Sequence, residues 1–391
     1  MKIGENRKQA TGYNAFIPFV FPPAEGIPIS NKLAKKNAEA VRLVGKLDGI
    51  TQLLPDKDFF LLMFIRKDAS SSSQIEGTQA TMMDAIEAES AERTSNLPSD
   101  VDDILHYVRA LNYGLKRIVE FPLSLRLVKE LHSVLMTDAR ATHHAYPGEF
   151  RRSQNWIGGT SPSNARFVPP PFHEMNSALS DLELFMRNED DEILPLIKAG
   201  LLHAQFETIH PFNDGNGRTG RMLVTMYLWH LKLLDVPVLY LSHYFKKHQQ
   251  VYYERLNAYH GDPSDVEGWL DFFLDGIIDT AKSAIQTCQE ITMLRDKDMA
   301  TTHTLGKTAA ESTTKILRKL FAQPIVSIAD IAAWTGYTRP GAYKVIARLI
   351  DLKILYPLKE STYGQKYIYR DYYDIFADDD TIDGDQQKLN I

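Results

Sequence analysis

The chain of 391 residues has a single cysteine, Cys288, so no intrachain disulfide can form and packing alone must hold the fold. Long apolar runs are missing as well. Phe16 to Phe21 is too short to span a bilayer and runs into Pro22-Pro23. Met1-Lys2-Ile3-Gly4-Glu5-Asn6 has no apolar signal core, so no membrane attachment is expected and a reducing cytoplasm is the expected compartment. Nor is there an excess of positive charge. The 44 Lys and Arg face 50 Asp and Glu, a formal net charge of −6, which excludes a general pull toward nucleic acid or anionic lipid. No internal repeat is visible. The remainder, 44% hydrophobic and 24% charged, is the composition of a globular protein with room for two or three domains.

One run carries most of the chemistry: His210 to Arg221 reads HPFNDGNGRTGR. Upstream, Leu196-Ile197, Ala199-Gly200-Leu201, Ala204 and Phe206 recur at helical spacing and predict a buried helix over 193–209. Pro211 disfavours helical geometry at His210, so that helix should stop there. Met222-Leu223-Val224, Met226-Tyr227-Leu228 and Leu231 start a second buried helix. Gly215-Asn216-Gly217 then forms its first turn, where free N–H groups and the helix dipole make a nest suited to a phosphate. Asp214 beside a phosphate is a natural Mg²⁺ ligand. Arg218 and Arg221 share a helical face and can fork onto phosphate oxygens. His210, at the mouth of the turn, is placed to act as a general base.

Other readings of the run explain less. Residues 215–220 match G-x-G-x-x-G, but a helix precedes them where a dinucleotide fold needs a strand, and a P-loop lysine is missing. His203 and His210 lack a third metal ligand nearby, and His203 reads as a hydrogen-bonded helix residue. A plain turn accounts for Asn213 to Gly217, but not for the histidine, the carboxylate and both arginines together.

The run resembles, at every position, the active-site motif of Fic-domain proteins, HPFx(D/E)GN(G/K)RxxR. Most such proteins move AMP from ATP to a hydroxyl of a target protein. The resemblance implies that His210 deprotonates that hydroxyl and that Asp214 holds Mg²⁺. It implies that Gly215, Asn216 and Gly217 cradle the α- and β-phosphates, and that Arg218 and Arg221 take the β- and γ-phosphates. Thr219 and Gly220 complete the expected ATP-binding turn. Doc-like kinases carry lysine at the position of Gly217 and transfer the γ-phosphate, so glycine there implies adenylyl transfer.

Three other segments resemble parts of the same family. Ser70 to Thr78 reads as a polar helix end capped by Gly77, with Ser72 and Glu76 on one face. It matches (S/T)xxxE(G/N), the inhibitory helix of some Fic proteins, which implies that Glu76 pairs with Arg221 in place of the γ-phosphate. A carboxylate can mimic a phosphate oxygen for a guanidinium. Between Thr142 and Pro171 the helical pattern is lost, and Trp156-Ile157 and Arg166-Phe167-Val168 flank a turn rich in glycine and serine. This reads as a hairpin and resembles the Fic flap, whose free edge, at Ile157 or Phe167, pairs with the backbone of a protein substrate. Tyr252-Tyr253-Glu254-Arg255-Leu256-Asn257 resembles the helix after the Fic core, with Tyr253 and Asn257 against adenosine; aromatics at helical spacing also suit plain core packing.

The chain divides into an N-terminal helical region (1–98, proline-rich and extended over 1–28), a core with its flap (99–285), a helical or frayed linker (286–311), a small domain (312–376) and an acidic tail (377–391). In the small domain Ser327 caps a short helix, Gly336 turns, a longer helix follows from Arg339, and two strands complete what resembles a winged helix-turn-helix. Between 315 and 371 its bases, among them Arg339, Lys344 and Arg348, outnumber its acids. DNA contact through those three, docking of a protein partner, and pairing with a second copy of the chain all stay open. The expected fold is mainly α: a Fic-type helical core with a β-hairpin flap and a C-terminal winged helix-turn-helix. The expected function is autoinhibited transfer of AMP from ATP, with Mg²⁺, to a Ser, Thr or Tyr hydroxyl of a protein. The alternatives are transfer of another nucleotide-derived group, removal of AMP at the same site, and a DNA-binding regulator whose core senses nucleotide.

Overall fold

In the computed structural model the described residues are 2–52, 54, 57–90, 97–139, 146–188, 192–358 and 364–377. The chain opens on an antiparallel hairpin, β1 (Gly4–Lys8) and β2 (Asn14–Pro18), with Gly4 opposite Pro18. Ala15 and Ile17 alternate inward and bury against Val168. Helices follow: α1 (Asn31–Thr51), α2 (Lys57–Ile75), α3 (Met82–Ala88), α4 (Val101–Glu120), α5 (Leu125–Met136) and α6 (Phe172–Arg187). Then come α7 (Pro195–Ile209), α8 (Asn216–His230), α9 (Ser242–Lys247), α10 (Gln249–Tyr259) and α11 (Val266–His303). Helix α7 is apolar on every side and buried along 13 of its 15 residues, as the centre of a helical core must be. It packs against α6, α8, α10 and α11. Pro195 opens it at a position where a missing N–H costs nothing.

The C-terminal part comprises α12 (Lys307–Leu320), β3 (Ile325–Ser327), α13 (Ile328–Thr335), α14 (Arg339–Asp351), β4 (Tyr356–Pro357), β5 (Lys366–Ile368) and α15 (Arg370–Ala377). Ser327 and Asp330 form a reciprocal capping box at the start of α13, and Gly336 ends that helix in the left-handed region. The expected two-stranded wing is β4 and β5. A third strand, β3, adds to it, giving the order β3-β5-β4. The segment expected as a linker is not frayed through its first part: residues 286–303 continue α11, a helix of 38 residues that carries α12 and α15. The acidic run from Asp378, with Lys359, Glu360 and Tyr363 of the wing, lies outside the described residues.

Helix α2 lies between the core and this C-terminal part. Phe60 meets Phe321 edge to face and Phe64 meets Phe376 in the same way. Arg66 donates to the Ala322 carbonyl (2.6 Å) and pairs with Glu89. The serines expected at a polar helix end are instead buried, Ser72 and Ser73 completely, because small side chains let α2 approach α4 and α8 closely. Among the described residues, no helix is long and apolar enough to cross a membrane.

Candidate active site

The turn between α7 and α8 is shaped by short-range sterics and then locked from outside. Helix α7 stops at Ile209, and His210 caps it in the left-handed region at φ 49°, ψ 61°. Pro211 disfavours the right-handed alternative, and histidine tolerates this region better than most residues. The His210 carbonyl is gripped by Arg151 Nε (3.0 Å) and Asn155 Nδ2 (3.1 Å). Arg151 is almost completely buried and also donates to the carbonyls of Ser153 and Pro170, while its own N–H bonds to Pro211 O. Gly215, at φ 74°, begins α8, and a side chain there would press to 2.8 Å from Met136 Sδ. Asn216 Oδ1 accepts from the Phe212 N–H and its Nδ2 donates to the Phe212 carbonyl, each at 2.8 Å. The Phe212 ring stacks on His132 at 3.7 Å. His132 Nδ1 accepts from Gly148 N–H, so its Nε2 donates to the Asp214 carbonyl (3.0 Å). His132, Arg151 and Asn155 form no sequence pattern with the motif.

Electrostatics leave the imidazole of His210 neutral. Burial, and then the Arg151 guanidinium, lower its pKa to about 4, against the opposing pull of Glu76 and a hydrogen bond to the Glu207 carbonyl. His132 is likewise lowered to about 4, chiefly by burial. His203 is the hydrogen-bonded helix residue expected: Nε2 bonds to Tyr252 OH (2.8 Å) and Nδ1 to Gly220 O (3.2 Å).

Arg221 is held by the end of α2. Its Nε donates to Ser72 Oγ (2.8 Å), and its Nη2 to the Ser72 carbonyl (3.0 Å) and Glu76 Oε1 (2.7 Å). Crowding by protein pushes the Glu76 carboxyl up, but Arg221, and more weakly Arg218, hold it below the ordinary carboxylate range. Gly217 makes the approach possible, since a methyl group there would collide with Glu76 Oε1. Arg218 is also buried but differently engaged. Its Nη2 lies 3.6 Å from Met136 Sδ and 3.8 Å from Asp214 Oδ1, and its Nε has no partner among the described residues. Asp214 is half exposed, with Oδ1 accepting from Gly215 N–H (2.6 Å).

A cavity of about 420 Å³ opens in front of His210, Gly217, Arg221 and Glu76, with Tyr253, Leu256 and Asn257 of α10 on its far wall. Ile157 and Phe167 border it from the flap. Asn216, Thr219 and Gly220, expected at the phosphates, do not line it: Asn216 is spent on Phe212, and Thr219 is buried behind the turn. Asp214, Gly215 and Arg218 stand beside the cavity rather than on its walls. The flap is reduced to one antiparallel bridge, Ile157 with Phe167, whose amides donate to each other's carbonyls at 2.8 and 3.2 Å. Its second strand is not free, because Phe16 N–H of β2 donates to the Val168 carbonyl (2.9 Å). Phe167 is buried and stacks on His260 at 3.8 Å, so it is a cavity wall. Trp156 and Ile157, 39% and 37% exposed, mark the open edge.

Comparison with known proteins points to one family for the segments that build this site. Residues 122–228 match the Fic/DOC family profile, and residues 34–116 the Fic/DOC family N-terminal profile. Two segments of the chain thus match the Fic/DOC family. The chain is 30% identical over 149 residues to the protein adenylyltransferase Fic of Aedes aegypti, 37% of this chain and 27% of that one. It is 36% identical over 91 residues to a probable protein adenylyltransferase of Aquifex aeolicus, 23% of this chain and 26% of that one. The chain thus spans about a quarter of the length of these curated relatives. A Fic family protein from Desulfovibrio desulfuricans superimposes over 88% of this chain and 97% of its own, with TM-score 0.57 at 18% identity. A Fic domain containing signaling protein from Bacteroides thetaiotaomicron covers 64% and 97%, with TM-score 0.52 at 19% identity. These likenesses establish the fold.

Proposed function

We propose that the chain transfers AMP from ATP to a hydroxyl side chain of a target protein, and that Glu76 holds this activity in check. The observation that carries it is Arg221, a buried guanidinium at the cavity wall whose carboxylate partner among the described residues comes from outside the motif. A guanidinium so placed binds a phosphate as readily as a carboxylate. With Glu76 on it, a triphosphate can enter only with its last phosphate displaced. In the reaction, neutral His210 takes the proton of the target hydroxyl, whose oxygen attacks the α-phosphorus. The bond to the bridging oxygen breaks, and diphosphate leaves with that electron pair. Free N–H groups at the start of α8 and the Arg218 and Arg221 guanidiniums receive the growing charge.

Asp214 suits a magnesium ion that arrives with the nucleotide. Its carboxylate is half exposed beside the nest, and among the described residues no cluster of three or more His, Cys, Asp or Glu could form a protein-only metal site. Mg²⁺ commonly takes one or two carboxylates and completes its shell with phosphate oxygens and water, easing charge on the phosphates. The protein substrate adds its backbone to the open edge at Trp156 and Ile157. On the C-terminal part, Arg339, Tyr343 and Lys344 are exposed along α14, while Arg348 turns toward Thr313 Oγ1 (3.5 Å) and Lys366 is buried against Glu87. That face favours an anionic partner over a second copy of the chain. Parallel incubation with α-³²P- and γ-³²P-labelled ATP tests the central assignment. Label retained from the α position only means adenylyl transfer, from the γ position only means a kinase, and from neither rejects both.

A further inference from the structure

Two carboxyls, not one, sit in gaps left by glycines of α8. Gly217 and Gly220 lie one helical turn apart. A methyl group on the first would strike Glu76 Oε1, and on the second Glu207 Oε1. Glu76 belongs to the gate above. Glu207 does not: it precedes the motif on α7, and Gly220 falls on a motif position with no assigned residue type.

Glu207 Oε1, seated over Gly220, is sealed from solvent and has no hydrogen-bond partner among the described residues. The residue nevertheless lines the cavity, beside His210, which leaves Oε2 as its cavity-facing atom, 3.8 Å from His210 Nδ1. The charged and titratable groups around it are Arg221 on α8, Glu76 after α2, Tyr252 and Tyr253 on α10, and His210. Arg221 favours ionisation of Glu207 but is already engaged by Ser72 and Glu76. Burial, against the pull of Arg221 and with a push from Glu76, raises the Glu207 carboxyl to about 8, so it keeps its proton at neutral pH. A protonated carboxyl can donate a hydrogen bond, whereas a carboxylate can only accept and would repel a phosphate.

We propose, on the reading of this cavity as the ATP site, that Glu207 contacts the nucleotide as a hydrogen-bond donor to an oxygen at or near the α-phosphate. Gly220 gives its carboxyl the room to lie in the cavity wall. The pH dependence follows by sign. In the wild-type chain the donor is intact below about 8 and ionises above it, so transfer falls as pH rises through that value; without the push of Glu76 the fall begins at lower pH.

The test uses the full chain carrying Glu76→Gly, with α-labelled self-modification followed from pH 6 to 10 and ATP affinity measured by calorimetry at pH 7 and 9.5. Glu207→Ala is expected to weaken ATP binding about tenfold at pH 7, the size of one hydrogen bond to a charged group. Glu207→Gln, nearly isosteric and a donor at every pH, should recover binding relative to alanine and lose the alkaline fall. If alanine destabilises the fold, the glutamine profile decides alone. An alkaline fall that persists unchanged in Glu207→Gln overturns the proposal, as does unaltered ATP affinity in a folded Glu207→Ala. Parent protein that binds ATP but transfers no α-label strikes the transferase assignment instead, and calorimetry still reads Glu207. Parent protein that binds no ATP overturns both.

Discussion

The motif turn and the flap face each other across one cavity and are built on opposite principles. Between His210 and Gly217 the turn is tied at several backbone groups: Asn216 closes on Phe212 from within, while His132 ties Asp214 to Gly148 and Arg151 grips the His210 carbonyl from outside. Within the flap the two strands share one bridge, Asn164 Oδ1 accepts from the Thr160 and Ser161 amides at the tip, and β2 holds only the second strand. Buried, satisfied networks rigidify a site, while exposed backbone with few apolar contacts opens easily. The proposed chemistry, which needs fixed geometry, sits on the first element. The proposed docking of a substrate backbone suits the second.

The sharpest way to break this contrast is to remove the reacting group and leave the turn intact. His210→Ala should lower AMP transfer about 10²–10⁴-fold, the range for a general base, with ATP affinity by calorimetry nearly unchanged. An equal loss of affinity would make His210 a binding residue. Next in size, Glu76→Gly should raise self-modification about tenfold or more, because Arg221 loses its competing carboxylate. No gain in the α-label assay would refute inhibition through Glu76.

Asn216→Ala probes the rigidity of the turn itself. It leaves the Phe212 N–H and carbonyl buried without partners, at a cost of about 1–3 kcal/mol, seen as a lowered Tm in calorimetry or circular dichroism. An unchanged Tm would mean the turn is not held as tightly as its hydrogen bonds imply. The smallest effect is expected at the flap. Ile157→Pro removes the amide given to Phe167 and should lower labelling of a target protein about three- to tenfold while sparing ATP affinity. Phe167→Pro disturbs a cavity wall and should lower both. Equal behaviour of the two variants would remove the distinction between the open and covered flap strands.

Legibility followed the range of the forces involved. The end of α7 before Pro211, the left-handed Gly215 and the caps at Ser327 and Gly336 are short-range matters of sterics and local hydrogen bonds, and a dozen adjacent residues specify them. The pairing of Ser72 and Glu76 with Arg221 spans 149 and 145 positions, yet it could be anticipated because both ends carry recognisable patterns. Arg151 and His132 carry none, since a buried arginine and a solvated one look alike in a sequence. Phe167 shows the reverse case. The resemblance to the Fic flap left both Ile157 and Phe167 as candidates for the free edge, but β2, arriving from the start of the chain, covers the edge beside Phe167 through Phe16 and Val168.

Local order thus marked the helices around the turn, the phosphate-type nest and the candidate reacting groups. Only the packing of distant segments decided which strand of the flap is open, which atoms lock the turn, and that Glu207 stays protonated beside His210. Those properties depend on burial and on charges brought near from other elements, and neither is written in the neighbouring residues.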